Sequence, residues 1–215
     1  DLLLKSRIPL SLSRCYNSRD SYTGPFGKGW SASCLSRLDF SDTKIVFINT
    51  NGSRVTFQRN GDTFVPPQNT DLTLSVATST QFWTVKHPSR GEFTFDSDGK
   101  ILRIARACCG KGVLDAITFE YDSAGHLTKM SNPDGQSFTF TYDAQGHIVQ
   151  VSDSTGRQVQ YTYNPQGNLI SCTDPLNRVT SYTYSPEGLI TRVEEPGSKV
   201  TQIFYENQRV TKQIL

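Results

Sequence analysis

In the second half of the chain, hydrophobic and polar positions alternate in short runs. Across Ser137–Tyr142, Phe138, Phe140 and Tyr142 fall on one side, and Ser137, Thr139 and Thr141 on the other. That two-residue period marks a half-buried strand. The turn sequence Asp143-Ala144-Gln145-Gly146 follows. An Asp side chain there accepts from the backbone two residues on, and a Gly tolerates positive φ. Strand pairing resumes at Ile148. Leu127 and Met130 are both apolar but stand three residues apart, which simple alternation sends to opposite faces. A bulge, or partial burial of both faces, reconciles them. No window of a dozen residues repeats apolar positions at helical spacing. The pattern predicts an all-β chain built as an array of antiparallel β-hairpins.

The array has a fixed period. Tyr121, Tyr142, Tyr163, Tyr184 and Tyr205 lie 21 residues apart, as do Gly125, Gly146, Gly167 and Gly188, and Leu127, Ile148, Leu169 and Ile190. Two residues before each Tyr stand Phe119, Phe140, Tyr161, Tyr182 and then Ile203. Halfway between comes a second turn, at Asn132-Pro133-Asp134-Gly135, Asp153-Ser154-Thr155-Gly156, Asp174-Pro175-Leu176-Asn177 and Glu195-Pro196-Gly197-Ser198. Each unit therefore holds two short strands and two tight turns, and self-similarity at such a period is the signature of a repeat architecture. The recurrent Gly serves the turn. The recurrent Tyr packs its ring on the neighbouring hairpin while its hydroxyl finds a polar partner.

Three regions follow: an opening or cap segment at 1–43, irregular hairpins and a degenerate repeat at 44–110, and the regular array at 111–215. In the middle region Phe95-Asp96 stands where Tyr-Asp stands later, but 26 residues before Tyr121. The five extra residues place an insertion loop at Ala107 to Gly112. Lys44 to Phe57 and Val55 to Val65 read as hairpins around two Asn-Gly turns, and Pro66-Pro67 ends the pairing. Strands continue through Leu72 to Val76 and Gln81 to Lys86. In the opening, Ile8 to Arg14 alternates as a strand. An irregular cap is expected there, because a repeat array exposes unpaired strand edges.

Composition adds exclusions. Of 215 residues 35% are hydrophobic and 11% aromatic, and the formal net charge is +2. No basic stripe of the kind nucleic-acid binders carry is present, and no apolar stretch approaches membrane-spanning length. The chain begins at Asp1, which reads as a piece of a longer polypeptide. The five cysteines, Cys15, Cys34, Cys108, Cys109 and Cys172, match no disulfide framework or zinc site and read mostly as reduced thiols, with a vicinal Cys108–Cys109 disulfide as the alternative.

Sites of chemistry are equally scarce. Gly27-Lys28-Gly29-Trp30-Ser31-Ala32 fits a dinucleotide-binding glycine pattern, but a loop precedes it and no helical pattern follows. No zinc-protease, serine-hydrolase or phosphate-loop motif occurs. His126 and His147 share a repeat phase, yet Asn168 and Leu189 come next, so no third metal ligand joins them. Asn51-Gly52-Ser53 matches a glycosylation sequon, a pattern common by chance. Turn aspartates such as Asp122, Asp143 and Asp174 form no acid/base pair. No catalytic residue, metal or cofactor is expected.

Tyr121-Asp122-Ser123-Ala124-Gly125-His126-Leu127 and Tyr142-Asp143-Ala144-Gln145-Gly146-His147-Ile148 resemble the repeat of the RHS/YD-repeat family. Leu10 to Arg19, followed by Gly24-Pro25-Phe26-Gly27-Lys28-Gly29-Trp30, resembles the segment that opens many bacterial RHS shells. The resemblance spans nearly the whole chain. It implies a curved or spiralling sheet segment, since family members wind a long β-sheet into a hollow cocoon. Bacterial polymorphic toxins and ABC-toxin C components keep a toxic C-terminal domain inside it, and animal teneurins use a related barrel for adhesion. Family shells often cleave themselves at an Asp-Pro-x-Gly-Leu context. Asp174-Pro175-Leu176-Asn177 lacks the Gly-Leu and sits in the ordinary turn phase, so it reads as a turn.

The expected function is that of a non-catalytic structural shell segment, helping to enclose a toxic C-terminal domain and secreted or displayed at the cell surface after export. Its expected partners are the remainder of its own shell and the enclosed toxin, with a secretion-apparatus protein or a cell-surface glycan beyond them; nucleic acid and membrane insertion are not expected. The alternative is an adhesion module that binds glycan or protein through stacked rings, with Tyr142, Tyr163, Tyr184, Trp30 and Trp83 as its candidate residues.

Overall fold

The computed structural model describes residues 1–77, 79–88, 91–107 and 114–215. The Cys108-Cys109-Gly110-Lys111-Gly112 stretch of the expected insertion loop, and with it the state of those two cysteines, lies outside the described residues. Every regular element among those described is a strand. The opening holds β1 (Leu2–Leu4), β2 (Leu10–Leu12), β3 (Arg14–Tyr16), β4 (Thr23–Gly24), β5 (Gly27–Lys28) and β6 (Trp30–Ala32), paired β1 with β2, β3 with β6 and β4 with β5. Then come β7 (Arg37–Phe40), β8 (Lys44–Ile48), β9 (Arg54–Asn60) and β10 (Thr63–Val65), a four-stranded sheet in the order β10-β9-β8-β7.

The remaining strands are β11 (Thr73–Ala77), β12 (Phe82–His87), β13 (Gly91–Phe95), β14 (Ile101–Ala107), β15 (Leu114–Tyr121), β16 (Leu127–Ser131) and β17 (Ser137–Tyr142). After them come β18 (Ile148–Asp153), β19 (Gln158–Tyr163), β20 (Leu169–Thr173), β21 (Val179–Tyr184), β22 (Ile190–Glu195), β23 (Lys199–Glu206) and β24 (Arg209–Ile214). They form one open 14-stranded sheet in sequence order, with β11 and β24 as its edges. Consecutive hairpins make every strand the neighbour of the next, which keeps its pairing contacts local in sequence.

The chain forms two compact units: Asp1–Leu2, Arg14–Ser31 and Phe138–Leu215 in one, Leu3–Ser13 and Ala32–Ser137 in the other. In the second unit the core gathers Leu10, Leu12, Ile45, Phe47, Phe57, Phe95 and Ile101, all 0–1% exposed. Phe47 packs its ring on Phe93 and Phe95 at 5.2 and 5.9 Å. Each such side chain contributes about 1.5–3 kcal/mol by leaving water. The buried Asn132 amide donates to the Ile8 carbonyl at 2.8 Å and the Ser6 hydroxyl at 2.9 Å, which meets its own hydrogen-bonding need.

In the first unit the core is a ladder. Phe138, Ile148, Val151, Val159 and Leu169 are fully buried. The irregular segment does not stand at a sheet edge in this unit. It lies against the side chains of the array, with Phe26, also fully buried, edge-on to Tyr161 at 5.1 Å.

The register resolves the Leu127–Met130 ambiguity in favour of a bulge. Tyr121 pairs with Leu127 but Glu120 with Lys129, leaving Thr128 as the extra residue. The same shift recurs where Tyr142 meets Ile148, Tyr163 meets Leu169 and Tyr184 meets Ile190. One added residue turns a three-residue spacing into same-face neighbours. Leu127 and Met130 are accordingly both buried, as are Ile148 and Val151. The degenerate unit carries the bulge too: Phe95 pairs with Ile101 but Thr94 with Arg103, leaving Leu102 as the extra residue.

Candidate functional site

The turns fix the side chains around them. The Asp143 carboxylate accepts the amides of Gln145 and His147 at 2.9 and 2.8 Å, while the Gly146 amide closes onto the Asp143 carbonyl at 3.2 Å. Gly146 sits at φ 84°, where a β-branched side chain is strongly disfavoured. The half-way turns are built alike, with Asp153 accepting from Thr155 and Arg157. Asp174-Pro175-Leu176-Asn177 is one of them: Asp174 accepts the amides of Leu176 and Arg178 at 2.9 Å each, and Asn177 takes the glycine position at φ 59°.

The tyrosines form a hydrogen-bonded ladder. Tyr163, Tyr184 and Tyr205 donate their hydroxyls to the carbonyls of Ile148, Leu169 and Ile190, at 2.7, 2.8 and 2.8 Å, always 15 residues earlier. Those carbonyls belong to bulge residues, where the sheet ladder is interrupted and leaves an acceptor to be met. Tyr121 makes the same bond to Ile101 at 2.8 Å across 20 residues, which absorbs the five-residue insertion. Burial pushes the Tyr163 and Tyr184 hydroxyls far above their ordinary range, and Tyr205 to about 12. They remain protonated donors and supply no base or nucleophile at neutral pH.

The ring faces are partly occupied. His147 stacks on Tyr163 with centroids 4.5 Å apart and planes 18° from parallel, and the Lys100 ammonium lies 5.8 Å from the Tyr121 ring. His147 Nδ1 is 3.1 Å from the Asp143 carboxylate. Burial raises the Asp143 carboxyl, but the His147 and Gln145 hydrogen bonds outweigh it and hold the group below its usual range. His126 is tied to Asp122 in the same way, at 3.2 Å. Among the described residues no three or more of His, Cys, Asp and Glu gather where a metal ion could be held.

The opening segment supplies what sequence reasoning missed. Arg14 continues the inward phase of Leu10 and Leu12, and its side chain is only 4% exposed. Its guanidinium lies over the rings of Tyr161 at 4.7 Å, Trp30 at 5.0 Å and Phe26 at 5.6 Å, and is paired with the Asp1 carboxylate. Alternation at that position was the available signal. Tyr161 adds a hydroxyl to the same carboxylate at 3.1 Å.

Trp30, a candidate for an open platform, is interior at 6% exposure and donates its indole N–H to the Tyr184 hydroxyl at 3.2 Å. Trp83 packs against Phe40 and Phe64 at 5.4 and 6.0 Å in the other unit. Tyr142, Tyr163 and Tyr184 are half-buried. The Gly27–Ala32 glycines answer packing: a Cβ on Gly27 would stand 2.6 Å from the Gly167 carbonyl oxygen, and one on Gly29 2.9 Å from that of Asn17. Strands, not a helix, follow them. Cys15, Cys34 and Cys172 are free thiols, the last two buried, and burial pushes Cys34 to about 12.

Parts of the sequence match known proteins. Residues 121–158, 142–171 and 163–200 match the family described as RHS Repeat, and residues 1–57 match a domain of unknown function, DUF6531. The tRNA nuclease WapA of Bacillus subtilis (strain 168) is 29% identical over 130 residues, 60% of this chain and 5% of that protein. The tRNA(Glu)-specific nuclease WapA of Bacillus subtilis subsp. natto (strain BEST195) matches to the same extent. The match thus spans a small fraction of these relatives' length.

Among solved structures, a Photorhabdus luminescens Tc holotoxin pore aligns with 86% of this chain and 10% of its own, at 13% identity and a TM-score of 0.42. A TcdB2-TccC3-Cdc42 structure aligns with 80% of this chain and 13% of its own, at 12% identity and a TM-score of 0.36. Over residues 121–200 the 21-residue period and the matched repeats identify the array as one of RHS repeats.

Proposed function

We propose that this chain is a non-catalytic shell segment that helps to enclose a toxic C-terminal domain of the same polypeptide, outside the cell after export. The observation that carries the reading is where the recurrent polar groups go. Tyr163, Tyr184 and Tyr205 give their hydroxyls to main-chain carbonyls, and Asp143, Asp153 and Asp174 take main-chain amides. Groups engaged in this way hold a wall together and are withdrawn from acid, base or nucleophilic work. The WapA proteins are named as nucleases, and this chain's likeness covers 5% of their length. That supports a wall accompanying a separate activity on one polypeptide. The partners of the segment are then the rest of its own shell and the domain held within.

Limited proteolysis of the full-length polypeptide tests the reading. The domain beyond the array should survive trypsin in the intact protein and be digested when Gly27→Val loosens the opening segment. Equal digestion of the two proteins would refute enclosure. Incubated with tRNA, the 215-residue chain should leave it uncut, and cleavage would refute the non-catalytic part.

A further inference from the structure

Two turns of the four-stranded sheet carry the pair Asn-Gly, and they hold it differently. Asn51-Gly52 lies between β8 and β9, and Asn60-Gly61 between β9 and β10. An asparagine before glycine can lose its side-chain nitrogen to its own backbone. The following residue has no Cβ, so its main-chain nitrogen reaches the carboxamide carbon unhindered.

At Asn51-Gly52 both reacting groups are engaged. The Gly52 amide donates to the Asn49 carbonyl at 2.8 Å, which occupies the nucleophile. The Asn51 carboxamide oxygen accepts the Ser53 amide at 3.0 Å, which holds the electrophile toward Ser53.

At Asn60-Gly61 both are released. Asn60 ends β9 and pairs with Thr63, so Gly61 and Asp62 make the turn, with Gly61 at φ 61°. Asn60, Gly61, Asp62 and Thr63 are all exposed. Among the described residues nothing accepts the Gly61 amide proton, and no hydrogen bond holds the Asn60 carboxamide. A Cβ on Gly61 would meet nothing within 4 Å, so the approach is open. The main-chain carbonyl of Asn60, in the same peptide unit as the Gly61 nitrogen, accepts the Thr63 hydroxyl at 2.9 Å. That bond favours the anion left when the nitrogen gives up its proton, because the charge is shared with that oxygen. The Arg59 guanidinium, bonded to the Gly61 carbonyl at 3.1 Å, adds a positive charge beside it.

We propose that Asn60 is a site of spontaneous deamidation, activated by Thr63, and that the fold directs the reaction to it and away from Asn51. The Gly61 nitrogen attacks the Asn60 side-chain carbonyl carbon, and its proton passes through solvent to the departing nitrogen. The Cγ–Nδ2 bond breaks, ammonia leaves, and a succinimide ring remains. Water then opens the ring at either carbonyl, giving aspartate or isoaspartate. Either product sets a new negative charge beside Asp62, and isoaspartate lengthens the main chain at the Asn60–Thr63 pair. The hairpin end thereby records the age of the folded protein.

Incubation of the purified 215-residue chain at mildly alkaline pH, followed by peptide mapping with mass spectrometry, reads both asparagines in one sample. Asn60 should convert at least about fivefold faster than Asn51, the ratio that one net hydrogen bond of about 1 kcal/mol gives. In urea the two should convert at similar rates, because the turns are gone and the residue pairs are the same. Thr63→Val should slow Asn60 and leave Asn51 unchanged. Equal rates in the folded chain, or faster conversion of Asn51, would overturn the proposal. So would a preference in urea as large as that in the folded chain, or an Asn60 rate unmoved by Thr63→Val in a variant that melts like the parent. If that variant melts differently, the ratio between the two asparagines in the folded and urea-treated parent decides.

Discussion

In the array, Tyr163, Tyr184 and Tyr205 each meet the same partner, a main-chain carbonyl 15 residues earlier. In residues 14–31 the contacts are more varied, although Phe26 on Tyr161 and Trp30 on Tyr182 form like edge-on ring pairs one period apart. Arg14 has one carboxylate and three rings, and Gly27 stands where a Cβ would come 2.6 Å from the Gly167 carbonyl oxygen. The array spreads its stability over many equivalent, replaceable bonds. The opening segment concentrates much of its own around Arg14 and Gly27. Damage should therefore be far more costly in the opening than in any one repeat.

Gly27→Val is the severest way to test that difference. The new side chain would strike the Gly167 carbonyl and sit at φ 87°, so a loss on the order of 4 kcal/mol or more is expected. Gly146→Val, which meets the strain of a single turn at φ 84°, should cost about 1–3 kcal/mol. Thermal melts of the two variants side by side decide the matter: equal losses would show that the opening is no more concentrated than the array.

Arg14→Ala should cost about 3 kcal/mol, because it leaves the Asp1 carboxylate and three ring faces without their cation. Arg14→Lys keeps the charge but not the planar fork, and should recover only part of the loss in denaturant melts. Full recovery would mean that charge alone holds the segment down.

Tyr205→Phe should cost about 1 kcal/mol, the value of one hydroxyl-to-carbonyl bond. Tyr163→Phe should cost more, since its hydroxyl lies within reach of the Pro25 carbonyl at 3.2 Å as well as that of Ile148. Chemical denaturation of both variants would separate the ladder's own contribution from the part shared with the opening.

The smallest effect is acid sensitivity. Burial raises Asp153, but bonds from Thr155 and Arg157 outweigh it and hold the carboxyl below its ordinary range. A carboxyl lowered by folding stabilises above its unfolded value, about 3.9, and loses that contribution as pH falls through its folded value. The melting temperature should drop below about pH 4, and Asp153→Asn should flatten that slope. An identical slope in the variant would assign the acid sensitivity to other groups.

The array was legible because its information is local and repeated. Asp143 and Gly146 specify a turn within five residues, and Phe138, Phe140 and Tyr142 specify a face by alternation. Leu127 and Met130 even pointed to the bulge without deciding it, since the deciding fact is a register with a second strand. What stayed hidden depends on partners distant in sequence. Nothing near Arg14 announces Tyr161, and nothing near Gly27 announces Gly167. The acceptor of each tyrosine hydroxyl is a backbone atom, which leaves no mark on the identity of any side chain.

That hidden acceptor bears on how such genes can change. A tyrosine that meets a carbonyl makes no demand on the side chain opposite, so one unit is an interchangeable part for another. Recombination that adds or removes whole units preserves every bond, whereas a crossover out of phase strands a hydroxyl on one side and a bulge carbonyl on the other. The Tyr121 bond, reaching 20 residues back where its siblings reach 15, shows that extra length is tolerated when it leaves that one meeting point in place. Lengthening by duplication is thus nearly free in the array, while the opening segment, whose Arg14 and Gly27 contacts belong to single places in the array, has to be inherited whole.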